Sequence, residues 1–158
     1  MISRHHFLFT SGEWLGVGKL TFLMSPTAIR IYMKWIVSPM VDNVILCDQH
    51  IQAEGADIEI VNHLKITVTS TTTFDITLKS ETTGEVQGKG VIENHCIKWA
   101  FEKMALDAIT EGFKGEEVYR LQENGEYYLH GQYVTGQDYG TVVDGRLWEK
   151  ATNKAEDL

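Results

Sequence analysis

The feature that most constrains this chain is an alternation of apolar and polar residues with a period of two. In "DIEIVNHLKITV", Ile58, Ile60, Leu64, Ile66 and Val68 share one face, and Asp57, Glu59, His63 and Lys65 the other. "FDITLK" repeats the rhythm with Phe74, Ile76 and Leu78 against Asp75, Thr77 and Lys79. "AIRIYMKWIV" does so with Ile29, Ile31, Met33 and Trp35. Successive side chains of a strand point to opposite faces, so the pattern predicts half-buried antiparallel strands. Turn signals punctuate it at Ser25-Pro26, Ser38-Pro39, Gly55, residues 70–73, Gly84, Asn94, Gly112, Asn124-Gly125 and Gly136. Asn124-Gly125 is the strongest hairpin signal among them. The spacing gives about ten strands with short connections, as in an all-β barrel or sandwich. Only "EKMALDAI", residues 102–109, has helical character, and it is short enough for one turn within a loop.

A chain of 158 residues suits a single domain, 1–158, with a sizeable core. Residues 1–8 and 150–158 are expected to be loose termini. The net charge of −8, without a local run of Lys or Arg, argues against a nucleic-acid partner, which needs a concentrated basic surface. The opening "MISRHHFLFTSGEW" has an apolar run of only Phe7-Leu8-Phe9. A secretory signal needs roughly 7–15 apolar residues and a membrane helix ~18, so a cytoplasmic protein without a membrane span is expected. Cys47 and Cys96 form no metal-binding spacing and sit in apolar stretches. They read as free buried thiols, with a bridge between them left open.

The glycines need their own account. "FTSGEWLGVGKLTF", residues 9–22, could be a phosphate-binding glycine loop or a strand with small residues at fixed places. A dinucleotide fingerprint requires a third glycine opening a helix, whereas Gly16 and Gly18 run into Thr21 and more strand pattern. "GEVQGKG", starting at Gly84, is one residue short of a P-loop and has Gly90 where the magnesium-binding hydroxyl belongs. As a strand, Trp14, Gly16, Gly18, Leu20, Phe22 and Met24 share one face. Glycine on the inner face of a strand permits sharp coiling and close backbone approach, which helps a sheet close into a barrel. Gly88 and Gly90 suit the same role in "VQGKGVI".

"GEW", Gly12 to Trp14, together with Arg146 in the last strand, "GRLWEK", resembles the signature of the calycin superfamily. That superfamily comprises lipocalins, intracellular fatty-acid-binding proteins and nitrobindin-type haem barrels. The resemblance implies an antiparallel up-and-down β-barrel of about ten strands, in which the tryptophan packs near the terminal-strand arginine. "GEWLGVGKL" is similar to the nitrobindin-type opening, with Gly12, Trp14, Gly16 and Gly18 as the structural signature. The chain's end is similar to that of fatty-acid-binding proteins, whose arginine and tyrosine hold a ligand carboxylate. Here Trp148 replaces the tyrosine, and "YRLQENGEYYL" supplies Arg120 as a second arginine expected to point inward. The two lid helices of that family are missing. The resemblance covers about 25 residues at the two ends, and the middle of the chain matches in strand rhythm alone.

These readings yield a set of candidate side chains. Arg146, Arg120, Trp148, Tyr128 and His130 are the expected ligand-binding residues. Arg146 has two readings: a closing residue stacked on Trp14, or an anchor for an anionic head group, with Asp144 on the same strand face as a partner. Of the six histidines, His130 is the nearest candidate for a haem ligand; His5 and His6 belong to the expected loose terminus. Tyr119, Tyr127, Tyr128, Tyr133, Tyr139 and Trp148 crowd the last third, where inward tyrosines could offer hydroxyls to a ligand or simply fill the core. No catalytic motif is present, and Glu116-Glu117, Glu123 and Glu126 read as a solvated face. The first expectation is therefore a non-enzymatic binder of a small hydrophobic ligand, such as a fatty acid, with no cofactor. The alternatives are a haem-binding barrel using His130, and a filled barrel that acts through its surface on another protein. The oligomeric state is left open.

Overall fold

The computed structural model describes residues 5–57, 59–81, 84–103, 112–135 and 139–151. Ten strands follow in chain order: β1 (Gly12–Phe22), β2 (Ser25–Val37), β3 (Val44–Ala53), β4 (Glu59–Val68), β5 (Thr73–Ser80), β6 (Gly84–Ile92), β7 (Cys96–Lys103), β8 (Phe113–Leu121), β9 (Tyr127–Thr135) and β10 (Tyr139–Glu149). Each pairs antiparallel with its neighbours in sequence, and β10 returns to β1 to close the barrel. The alternation left a barrel or a sandwich open; this is the up-and-down barrel that the resemblance implied, and its closure leaves no sheet edge unpaired. The alternation also gives the inward face correctly. Ile31, Met33, Trp35, Leu64, Ile66, Phe74, Ile76 and Leu78 are all buried. Of the segment with helical character, Glu102 and Lys103 belong to β7; residues 104–109 lie outside the described residues, as do Ile58, Gly136 and residues 152–158. Among the described residues no helix is long and apolar enough to cross a membrane.

Glycines let the wall curve and let rings lie against it. Gly18 and Gly145 face each other across the β1–β10 seam. A Cβ on Gly18 would lie 2.5 Å from the Asp144 carbonyl oxygen. On Gly88 it would lie 2.1 Å from the carbonyl oxygen of Ala100. At Gly90 it would enter the Phe74 ring, 2.0 Å from Cζ. Of the roles assigned to these glycines from sequence, close backbone approach is met at Gly18 and Gly88, while Gly90 makes room for a ring instead.

The turns differ in detail. Asn124-Gly125 is not a two-residue hairpin: Gly125 N–H donates to Gln122 O, Gln122 N–H to Glu126 O, and Gly125 has φ 88°. That is a type I turn followed by a left-handed glycine bulge. Asp42-Asn43 forms a two-residue turn, with φ 52° and 66°, closed by reciprocal hydrogen bonds between Val41 and Val44. Asp and Asn tolerate the left-handed region better than other residues with a Cβ, so no glycine was needed as a signal.

The N-terminal segment requires a correction. Residues 5–8 were expected to be loose, yet His5 is 3 % exposed, and Phe7 and Leu8 are fully buried. Phe7 inserts among Trp14, Trp35, Tyr119 and Tyr127, with ring centroids 5.1–5.7 Å away. His5 Nε2 donates to Glu93 O at 2.6 Å, which leaves Nδ1 to accept from the Tyr127 hydroxyl at 2.6 Å. His6 is exposed. The physical reason is that one barrel end is lined by large aromatics that need a partner, and the apolar Phe7-Leu8 supplies it. That end is therefore plugged. Cys47 and Cys96 are both free and buried.

Candidate functional site

With one end plugged, the remaining space lies in the other half of the barrel. A cavity of about 390 Å³ reaches from Trp99, Leu64 and Glu117 toward Phe22 and Ile60, which are partly exposed at the opposite end. Its wall is mainly aliphatic and aromatic, with Met33, Leu129 and Val143 among the contributors. Gln49, Asn62, Ser80, Tyr133 and Thr141 add neutral polar groups. Asn62 Nδ2 donates to Gln49 Oε1 at 2.9 Å, so Gln49 Nε2 and Asn62 Oδ1 have no hydrogen-bond partner among the described residues.

Glu117 is the chemical centre of this cavity. In β8 the inward positions are Phe113, Gly115, Glu117, Tyr119 and Leu121. Register places Glu117 opposite Trp99 on β7 and opposite Gly131 on β9. Tyr133, two residues beyond Gly131, lies with its ring over the missing side chains of Gly115 and Gly131. A Cβ at either would lie 2.8 or 2.6 Å from the ring or its hydroxyl. This lets the Tyr133 hydroxyl donate to Glu117 Oε2 at 2.7 Å, while the Tyr119 hydroxyl donates to Oε1. Burial pushes the Glu117 carboxyl above the usual carboxylate range; the two phenols, and the Trp99 indole, oppose the shift. Among the described residues the Trp99 N–H completes no hydrogen bond. The Tyr119 and Tyr133 hydroxyls are pushed well above their ordinary value, first by burial and then by the carboxyl. Burial likewise raises the Cys47 thiol to about 12.

The residues expected from sequence to hold the ligand stand elsewhere. Arg146, Arg120, Tyr128 and His130 occupy outward positions of β8, β9 and β10. They border a broad depression on the outer wall, with Lys19 and Arg30. Arg146 pairs with Glu126 at 3.2 Å and lies 4.9 Å over the Trp148 ring, not on Trp14. Asp144, its expected partner, instead accepts from His130 Nδ1 at 2.7 Å. Trp148 borders a different outer groove, beside Gln122 and Glu126. The reason is parity: Arg146 is even-numbered on a strand whose inward residues are Val143, Gly145 and Leu147. Trp14 is inward, as expected, but it meets Phe7 and Tyr127. Tyr119, Tyr127 and Tyr133 do point inward; Tyr128 is exposed.

The sequence pattern puts Glu117 in a solvated acidic pair, whereas the structure buries it inside the barrel. A signal was present: it shares its parity with Phe113, Tyr119 and Leu121 in "FKGEEVYRL". Glu116, its neighbour, is the exposed member of the pair.

No family model matches the chain, and no curated protein matches it in sequence. Among solved structures, it is similar to the S-type phycobiliprotein lyase CPES from Guillardia theta, with a TM-score of 0.45 and 4 % identity over 91 % of this chain and 90 % of that one. So loose a likeness assigns neither ligand nor activity, and the fold stands on the strand pairings themselves.

Proposed function

We propose that this protein binds a small, predominantly apolar molecule in the half-open interior of the barrel, without turning it over. The observation that carries the reading is the cavity of about 390 Å³ around Glu117. It lies within the range of roughly 300–1,000 Å³ typical of small-molecule sites, with apolar walls and a few convergent polar groups. Its size also argues against the wholly filled barrel, since only the plugged half is packed with side chains.

The calycin-like reading keeps its barrel but changes its anchor. A fatty-acid carboxylate would need a cation, and no Lys or Arg lines the cavity among the described residues. The haem alternative lacks its iron ligand there: His130 is held outside by Asp144, and no histidine lines the cavity among the described residues.

The test combines native mass spectrometry of the freshly purified protein with displacement of a fluorescent apolar dye. Val143→Trp should fill the cavity and reduce dye binding at least tenfold without loss of the folded state. Arg146→Ala, on the outer wall, should leave dye binding unchanged. Equal binding by wild type and Val143→Trp would remove the cavity from consideration.

A further inference from the structure

We propose that the molecule held in this cavity carries a basic nitrogen, and that Glu117 is its counter-ion. This deepens the binding reading and rests on it. Glu117 is the one ionisable acid on the described cavity wall, and no Lys, Arg or His accompanies it. It is 8 % exposed, and both of its oxygens accept phenol hydroxyls, from Tyr119 and Tyr133. An ionised carboxylate is an acceptor at both oxygens, so the two phenols are placed for the charged form that a bound cation would create. Two neutral donors orient that charge but do not neutralise it, and a buried charge needs a partner of opposite sign. The described wall supplies none: the empty site avoids the charge by keeping its proton, and a cationic ligand supplies the partner that lets the carboxyl ionise.

The rest of the wall agrees with a cation. The aromatic side chains of Trp99, Phe101, Phe113 and Tyr133 line the same space, and ring faces attract an ammonium group. Asn62 Oδ1, which has no partner among the described residues, can accept a further N–H.

The proton bookkeeping is simple. In the empty cavity burial favours the protonated carboxyl. When an ammonium group enters, the Glu117 O–H bond breaks, its proton leaves to solvent, and an ammonium–carboxylate pair forms. A neutral amine gives the same pair by taking that proton: the O–H bond breaks and an N–H bond forms. Ammonium affinity therefore rises with pH up to the Glu117 pKa and levels off above it. The groups facing Glu117 do not titrate in that range. Tyr119 on its own strand and Tyr133 on β9 are both pushed upward, and so is Cys47 on β3, which interacts with Tyr119. Trp99 on β7, and Gln49 and Asn62 on β3 and β4, carry no charge.

The test uses three probes on one skeleton, n-octylamine, 1-octanol and octanoate, titrated calorimetrically into the full chain between pH 5 and 9. Octylamine should bind at least tenfold tighter than octanol at neutral pH, with octanoate weakest. Its affinity should weaken as pH falls, while that of octanol stays level. Glu117→Gln should abolish the preference for the amine and leave octanol within about twofold. The wild-type ranking and pH profile need no variant, so they decide the matter even if Glu117→Gln folds poorly. Octanoate binding best, or an amine preference that survives in a folded Glu117→Gln, would overturn the counter-ion proposal while leaving the binding reading intact. Failure of all three probes, together with unchanged dye binding in Val143→Trp, would overturn both.

Discussion

Glu117 shows how one residue can trade stability for a site. Its folded carboxyl holds its proton to higher pH than the unfolded one, which releases it near pH 4.3. Above that value the unfolded state binds fewer protons, so folding stability falls as pH rises toward the folded pKa and then levels off. Glu13 and Glu93 run the opposite way, because lysine contacts hold their carboxyls below the usual range. Their contributions cancel when two variants are compared. Urea denaturation of wild type and Glu117→Gln from pH 4 to 8 should therefore show wild type losing ground to the variant as pH rises. A difference that is flat with pH would mean that Glu117 is ionised as easily in the barrel as in water. In the proposed ammonium–carboxylate pair the same carboxyl ceases to be a liability.

At the scale of a strand, glycine spacing does two separate jobs. On β1 and β10, Gly18 and Gly145 bring two backbones together where the barrel closes. On β6, Gly90 gives up its side chain so that Phe74 can lie flat on the wall, with Phe9 at 5.9 Å and Trp99 at 6.2 Å holding the ring. Gly90→Ala places a methyl group inside that ring, and a fully buried Phe74 has little room to move. The expected loss is about 1–3 kcal/mol, as for other overpacked cores, read as a lower urea midpoint with an unchanged slope. The glycines at 115 and 131 serve the site instead, since they let Tyr133 lie down and reach Glu117.

For the whole molecule, the decisive division is between a plugged half and an open half. The plug comes from the chain's own N-terminus, and Phe7 is its centre. Leu8, at φ 76°, adopts a backbone conformation unusual for a leucine, and complete burial holds it there. Phe7→Ala would empty the space between four aromatic rings. The expected cost is about 3–5 kcal/mol, a fall of roughly 10 °C in melting temperature for a domain of this size. Differential scanning calorimetry measures it directly. A fall of only a degree or two would show that the barrel does not depend on its plug.

The sequence by itself determined the strand content, the antiparallel character and the inward face of β1, β2, β4 and β5. Those properties follow from a period of two and from turn residues, which act over a few neighbours. It also marked Gly18, Gly88 and Gly90 as places where a side chain is not tolerated, whereas Gly115, Gly131 and Gly145 carried no such reading. The location of the site was decided by tertiary structure. Arg146 and Arg120 stood out as charges near a motif, yet strand parity carries them outside. Glu117 looked like one of many surface acids, and the same parity carries it in. Parity could be read from the sequence, but its consequence could not. That Glu117 meets Tyr133 depends on Gly131 lying directly across from it, a register fixed by two strands together. That Phe7 plugs one end depends on rings contributed by β1, β2, β8 and β9, which become neighbours only when the barrel closes.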